Sequence, residues 1–279
     1  MVGPPADAII FVDAHPGITA NDVRKLNPAV VSEEAPEQLR SDLNPFLERN
    51  GYNPDGCSSY SDGFKRRYFE AQSQRMNDLV DEALELKAEI AAGEHFPADD
   101  DVFVVYRADA RLMELDNTIA GKTLEPRKLL EDDRDIDTQV VESVRTCQPE
   151  SKESDASFDG SIAVTVDTFL RTSAIRSTNS MHDIDWCSSN NSTVCMVRYI
   201  EVPTLVTAMS GHYFIQDGEE IYEAAAADNK DFVAVEGATH GIDSCDDCAG
   251  GPYPNARDNF FDYIAQWMSS DFTPVTELP

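Results

Sequence analysis

The stretch Asp231-Phe232-Val233-Ala234-Val235-Glu236-Gly237-Ala238-Thr239-His240-Gly241 decides how this chain is read. A short apolar run rich in β-branched residues is a buried strand, and small residues then lead to a single histidine. A histidine held at a strand end is where a proton acceptor and donor is wanted, because it titrates near neutral pH. An ordinary turn histidine is the competing reading of His240.

The neighbouring segments follow one rhythm. Val202 to Ala208 reads as a strand, Asp217 to Ala227 as a helix with Asp217 as N-cap, Asp231 to Val235 as the next strand, and Asn255 to Met268 as a closing amphipathic helix. Strands and helices that alternate over short links imply parallel strands joined by right-handed crossovers. Near the start, Asp7 to Asp13 (D-A-I-I-F-V-D) is another buried strand, stopped by Ala14-His15-Pro16-Gly17.

Between these ends the chain is less regular. Residues 18–62 are rich in turn formers and show no sustained period. Phe64 to Ala92 is the clearest helix, with apolar residues spaced at about 3.6 and Gly93 as a stop. Val102 to Tyr106 reads as a strand and 109–131 as mixed, with a weak helix at either end. Thr138 to Val144 reads as a strand, 148–159 as a flexible loop, 161–171 as a helix and 177–195 as loop.

Composition limits the partners. The net charge is −30, from 52 acidic against 22 basic residues. Nucleic acid and anionic membranes need Lys and Arg to neutralise phosphate, so neither is expected. A solvated acidic surface explains the charge. Nothing approaches the ~18 apolar residues of a membrane span. Met1-Val2-Gly3-Pro4-Pro5 does not open a signal peptide, which leaves the compartment open with a lean to the cytoplasm.

Of six cysteines, Cys187 with Cys195 and Cys245 with Cys248 form local pairs, while Cys57 and Cys147 stand isolated. Asn190 and Asn191 each begin a glycosylation sequon, relevant only to a secreted chain.

The V-P-T-L-V strand, its helix, the V-A-V-E-G-A-T-H strand and the final helix resemble the α/β-hydrolase superfamily in order and spacing. I-I-F-V-D-A resembles the strand that follows the nucleophile helix in that family. F-V-D-A-H-P-G, L-N-P-A-V, N-G-Y-N-P and S-G-H-Y resemble one subgroup of large microbial hydrolases. The resemblance implies an α/β fold: a partial hydrolase-like parallel sheet from residues 1–17 and 200–279, with a large, mostly helical cap over 18–199. It implies an ester, lactone or acyl hydrolase acting on a small molecule without a cofactor or metal, in which His240 is the base.

The nucleophile motif G-x-S-x-G is absent from the sequence. A chain of this register begins after the nucleophile helix and exposes an apolar sheet edge. That predicts a partner carrying the first half of the fold, a homo-oligomer, or a truncated product.

Asp13, at the end of its strand, is the first choice for the acid that orients His240; a structural aspartate binding loop amides is the competing reading. Ser210, in Ala208-Met209-Ser210-Gly211-His212, mimics a nucleophile turn and is carried as a third catalytic candidate. His15, His212 and Tyr213 are candidates for lining the substrate pocket. Two other functions stay open. One is a non-catalytic, hydrolase-like binding protein. The other is a metal-binding module at His240, Cys245 and Cys248, set against a local disulfide.

Overall fold

The computed structural model describes residues 6–93, 99–155, 158 and 160–279. In chain order the strands and α-helices are β1 (Ile9–Val12), α1 (Ile18–Lys25), α2 (Asp62–Ala92), β2 (Val102–Val105), α3 (Leu112–Leu115), β3 (Arg127–Leu130), β4 (Ile136–Gln139) and β5 (Ile162–Thr165). They continue with α4 (Val166–Thr172), β6 (Arg176–Asn179), β7 (Asp183–Asp185), α5 (Thr193–Met196), β8 (Thr204–Met209), α6 (Ile215–Ala224), β9 (Lys230–Val235) and α7 (Ala256–Ser269). The chain divides into two compact units: residues 1–16, 117–146 and 193–279, and residues 17–116 and 147–192.

The first unit is built on a five-stranded sheet in the order β1-β8-β9-β3-β4. Four strands run parallel; β4 is the antiparallel edge. β8 lies between β1 and β9, and every one of its residues is buried. This explains its unbroken, partly β-branched sequence: a parallel strand covered on both faces has no polar side to alternate with. β9 is buried from Asp231 to Val235. Leu130, Leu205, Val233 and Val235 pack with Phe260, Tyr263 and Trp267 of α7, which is why the closing helix carries its aromatic residues. β1 pairs only with β8 among the described residues, and Val12 on it is 38% exposed.

The second unit is organised on α2. Ser61 caps its start by accepting the Phe64 N–H, and Gly93 ends it in the left-handed region at φ 76°. Phe64, Tyr68, Met76, Leu79, Val80 and Ala83 form the buried stripe that the periodicity predicts. Met76, Leu79 and Ala83 pack with Val23 and Leu26 of the α1 region, Phe103 and Val105 of β2, and Phe169 of α4. Two small antiparallel pairs, β2 with β5 and β6 with β7, complete this unit.

Several expectations are corrected. The span 18–199 is not one insertion, because residues 117–146 belong with the sheet. Within that segment Arg127–Leu130 is a strand beside β9, where a weak helix was expected. The expected strand at 138–144 lies earlier, as β4. Residues 161–171 split into β5 and α4, and 176–185 forms a strand pair rather than a loop. The 18–62 region contains α1. The expected flexible loop at 148–159 is a short 3-10 helix at Pro149–Ser154, while 156, 157 and 159 lie outside the described residues, as does the Met1–Pro5 segment read for a signal peptide. Asp217 is not the cap of α6: Phe214 holds that position, and Asp217 is buried in the first turn.

The isolated reading of Cys57 and Cys147 is also corrected, since the two are joined across 90 residues. Cys245 is bonded to Cys248, and Cys187 and Cys195 are disulfide-bonded as well. No described helix is long and apolar enough to cross a membrane.

Candidate functional site

Parallel strands deliver their C-terminal ends to one edge of a sheet, and that edge is where ligand sites of open α/β sheets gather. Here the ends of β1, β8 and β9 are followed by Asp13, His212 and His240 in adjacent positions. All three residues lie in the sheet unit.

Asp13 is the hub. It is 1% exposed and sits at φ 40°, in the left-handed region that a non-glycine residue enters at a cost. Its backbone N–H donates to Thr207 O at 2.8 Å, and its Oδ1 accepts the Met209 N–H at 3.0 Å. These bonds lock the carboxylate against the end of β8, so the structural role weighed for Asp13 is real. Its Oδ2 is left for the histidines. His240 Nδ1 is 2.8 Å from that oxygen, in hydrogen-bonding geometry. His212 Nδ1 is also 2.8 Å from it, yet this buried nitrogen has no hydrogen-bond partner among the described residues. The second contact acts through charge.

Burial pushes the Asp13 carboxyl up, but the His212 and His240 contacts and the Met209 amide outweigh it. The net effect holds the group below the ordinary aspartate value. For His240 the hydrogen bond to Asp13 acts in favour of the imidazolium and exceeds the opposing effect of partial burial, so its pKa is raised. Its side chain remains 58% exposed. With Nδ1 turned to Asp13, Nε2 is the nitrogen left for an incoming molecule.

The turn before His240 shows why small residues precede it. Gly237 has φ 64°, and a Cβ there would lie 2.0 Å from the Tyr253 ring. Gly211 N–H donates to Ala238 O at 2.8 Å, and a Cβ on Gly211 would lie 2.6 Å from that oxygen. The turns after β8 and β9 are thus fastened backbone to backbone, a closeness only glycine permits. Gly241 is different: a Cβ would meet only ordinary contacts there. Beyond His240, the Thr239 N–H bonds to Asp243 O, and the Cys245–Cys248 bridge closes the loop. In that bridge neither sulfur is a thiolate, so the two cysteines do not join His240 as zinc ligands.

Ser210 is buried at 1% exposure, and its Oγ accepts the Gly237 N–H at 2.7 Å. Its carbonyl accepts from Val144 N and Ser143 Oγ. The structure therefore makes Ser210 a fastener between the two turns and does not bring its hydroxyl to His240. Tyr213 stacks tilted on His212 at 4.2 Å, with the Arg145 guanidinium 5.6 Å from its ring. His15 meets Phe214 edge-on at 6.0 Å.

Sequence reasoning missed Phe214 and Ser143. Phe214 lies edge-on to both His212 (4.5 Å) and His240 (5.6 Å) and walls the imidazoles on one side. Ser143 Oγ holds the turn by donating to Ser210 O and His212 O. The aromatic run His212-Tyr213-Phe214 was a usable signal for the first; nothing local marks the second.

Fold and site define a mixed α/β protein with a mostly parallel central sheet and a carboxylate–imidazole cluster at its strand ends. Comparison with protein-family models, curated proteins and solved structures finds no match.

Proposed function

We propose that the chain is an α/β-hydrolase-like protein of the ester, lactone or acyl class, with Asp13 and His240 as its proton relay. The observation carrying this reading is the 2.8 Å bond between His240 Nδ1 and a buried carboxylate at the ends of parallel strands. His240 Nε2 takes the proton of an attacking hydroxyl as its oxygen bonds to the acyl carbon. It returns that proton to the leaving oxygen as the old C–O bond breaks, and Asp13 stays ionised beside the imidazolium throughout.

Ser210 is not the attacking group in this proposal, because its hydroxyl is tied to Gly237. The attacking oxygen belongs to water. The outer edge of β1, unpaired among the described residues, is where a partner strand would add. The pairing of all six cysteines favours an oxidising compartment over the cytoplasm.

The test is hydrolysis of short-chain aryl esters and lactones by the purified chain. His240→Ala is expected to slow turnover by about a hundredfold or more. Turnover indifferent to that substitution, or no turnover of any ester or lactone, contradicts the proposal. A second reading, a hydrolase-like binding protein without catalysis, is favoured by the same burial of Ser210. It predicts ligand binding near His240 with no product formed. Labelling of Ser210 by a fluorophosphonate probe counts against both.

A further inference from the structure

The two imidazoles converge on one carboxylate oxygen, and the hydrogen-bond pattern does not use them both. His240 Nδ1 donates to Asp13 Oδ2. His212 Nδ1 is buried, 2.8 Å from the same oxygen and without a hydrogen bond. If that nitrogen carries a proton, a buried donor is left unsatisfied. If it carries a lone pair, the pair faces a carboxylate. Either state is unfavourable in a buried setting, and a cation shared by the three atoms relieves both.

We propose that Asp13, His212 and His240 form a site for a divalent transition ion of the Zn2+ class. Asp13 Oδ2, His212 Nδ1 and His240 Nδ1 are its ligands, and these atoms already lie within 4.8 Å of one another. Two imidazoles and one carboxylate suit zinc and its neighbours better than calcium or magnesium, which prefer all-oxygen sites. Zinc bonds of about 2.0–2.1 Å in a tetrahedron place ligand atoms about 3.3 Å apart. The two 2.8 Å contacts therefore open by about half an ångström; the exposed His240 side chain gives at one, and the His212 ring must shift within its turn at the other. The exposed side of His240 leaves the fourth position to water.

Ion binding has a consequence for the relay, and that consequence rests on the acyl-hydrolase reading. To ligate through Nδ1, neutral His240 must carry its proton on Nε2. The nitrogen that would accept the substrate's proton is then already protonated. The ion acts as an off-switch on the base by moving one proton across one ring.

The experiment uses the full, untagged chain, stripped with a chelator and titrated with Zn2+ in millimolar Mg2+, so that the acidic surface is occupied. About one equivalent of Zn2+ is expected to survive gel filtration. His212→Ala and His240→Gln should each weaken binding by more than about a hundredfold, beyond what an outer-shell change costs. Should His212→Ala fail to fold, His240→Gln carries the test alone, since its side chain is more than half exposed. No retained zinc, or retention untouched by the variants that fold, overturns the site. Failure of the hydrolase reading shows separately. Zinc binding that depends on His212 or His240, in a chain that hydrolyses no ester, keeps the ion site and removes the off-switch.

Discussion

Asp13 in the sheet unit and Asp155 in the second unit both have side chains with no exposed surface, yet their carboxyls end up shifted in opposite directions. At Asp155 burial wins: its carboxyl is pushed up to about 6, although Asn27 donates to it at 2.7 Å and Arg107 at 3.2 Å. Its Oδ1 has no hydrogen-bond partner among the described residues. At Asp13 both oxygens are engaged, one by the Met209 amide and the other by His240 with His212 beside it, and the carboxyl is held down. Burial alone does not set a carboxylate's charge; the completeness of its partners does. The one that stays ionised can orient a base, while the other reads as a structural group poised to take up a proton.

The units also differ in their cross-links, and the largest expected effect lies there. Cys57–Cys147 spans 90 residues, whereas Cys245–Cys248 spans 3. Replacing the first pair by serines should cost about 4–5 kcal/mol in urea denaturation by the chain-entropy relation. An effect no larger than that of the short bridge would break this part of the comparison.

Next in size is Arg107→Met, which leaves Asp155 buried without its guanidinium. A loss of about 3–5 kcal/mol is expected at pH 7.5. It should shrink as the pH falls below about 6, where Asp155 is protonated. A loss independent of pH would show that Arg107 acts through packing rather than charge.

Asp13→Ala comes third. It strands the Met209 N–H and should cost about 1–3 kcal/mol, with Asp13→Asn costing less because the asparagine Oδ1 still accepts that N–H. Equal losses for the two variants would speak against the hydrogen-bond account.

The pH dependence follows from the raised groups. Asp22, raised by its burial to about 6, behaves as Asp155 does. For an aspartate raised on folding, the folded state binds more protons between the unfolded value, near 4, and the folded value, near 6. Its stabilising contribution is complete below that window and is lost as the pH rises through it. Amide exchange within the second unit should therefore slow on going from pH 7 to pH 5, after correction for intrinsic rates. Faster corrected exchange at pH 5 would reverse the assignment. The smallest effect is expected for Cys245→Ser with Cys248→Ser, about 2 kcal/mol or less.

Much of the frame was legible because β1, β8 and β9 are buried and read as apolar runs, and α2 carries its stripe, N-cap and glycine stop in sequence. β3 was not, because Arg127-Lys128-Leu129-Leu130 has no run and earns its place through distant partners. Lys128 reaches Asp231, Tyr263 Oη and the Val275 carbonyl, and Arg127 reaches Glu219. The Asp13–His240 pairing was readable from two strand ends. The position of His212 on the same carboxylate was not, because it depends on β8 lying between β1 and β9, and no local pattern encodes strand order.

The central claim is that Asp13 holds His240 with its proton on Nδ1 and its lone pair on Nε2. The direct measurement is the imidazole 15N spectrum of His240 in chelator-treated protein at pH 8, with and without Asp13→Asn. The account predicts a protonated Nδ1 and a bare Nε2 in the unaltered chain, and loss of that preference in the variant. An Nε2-protonated ring, or a spectrum indifferent to the substitution, would contradict it.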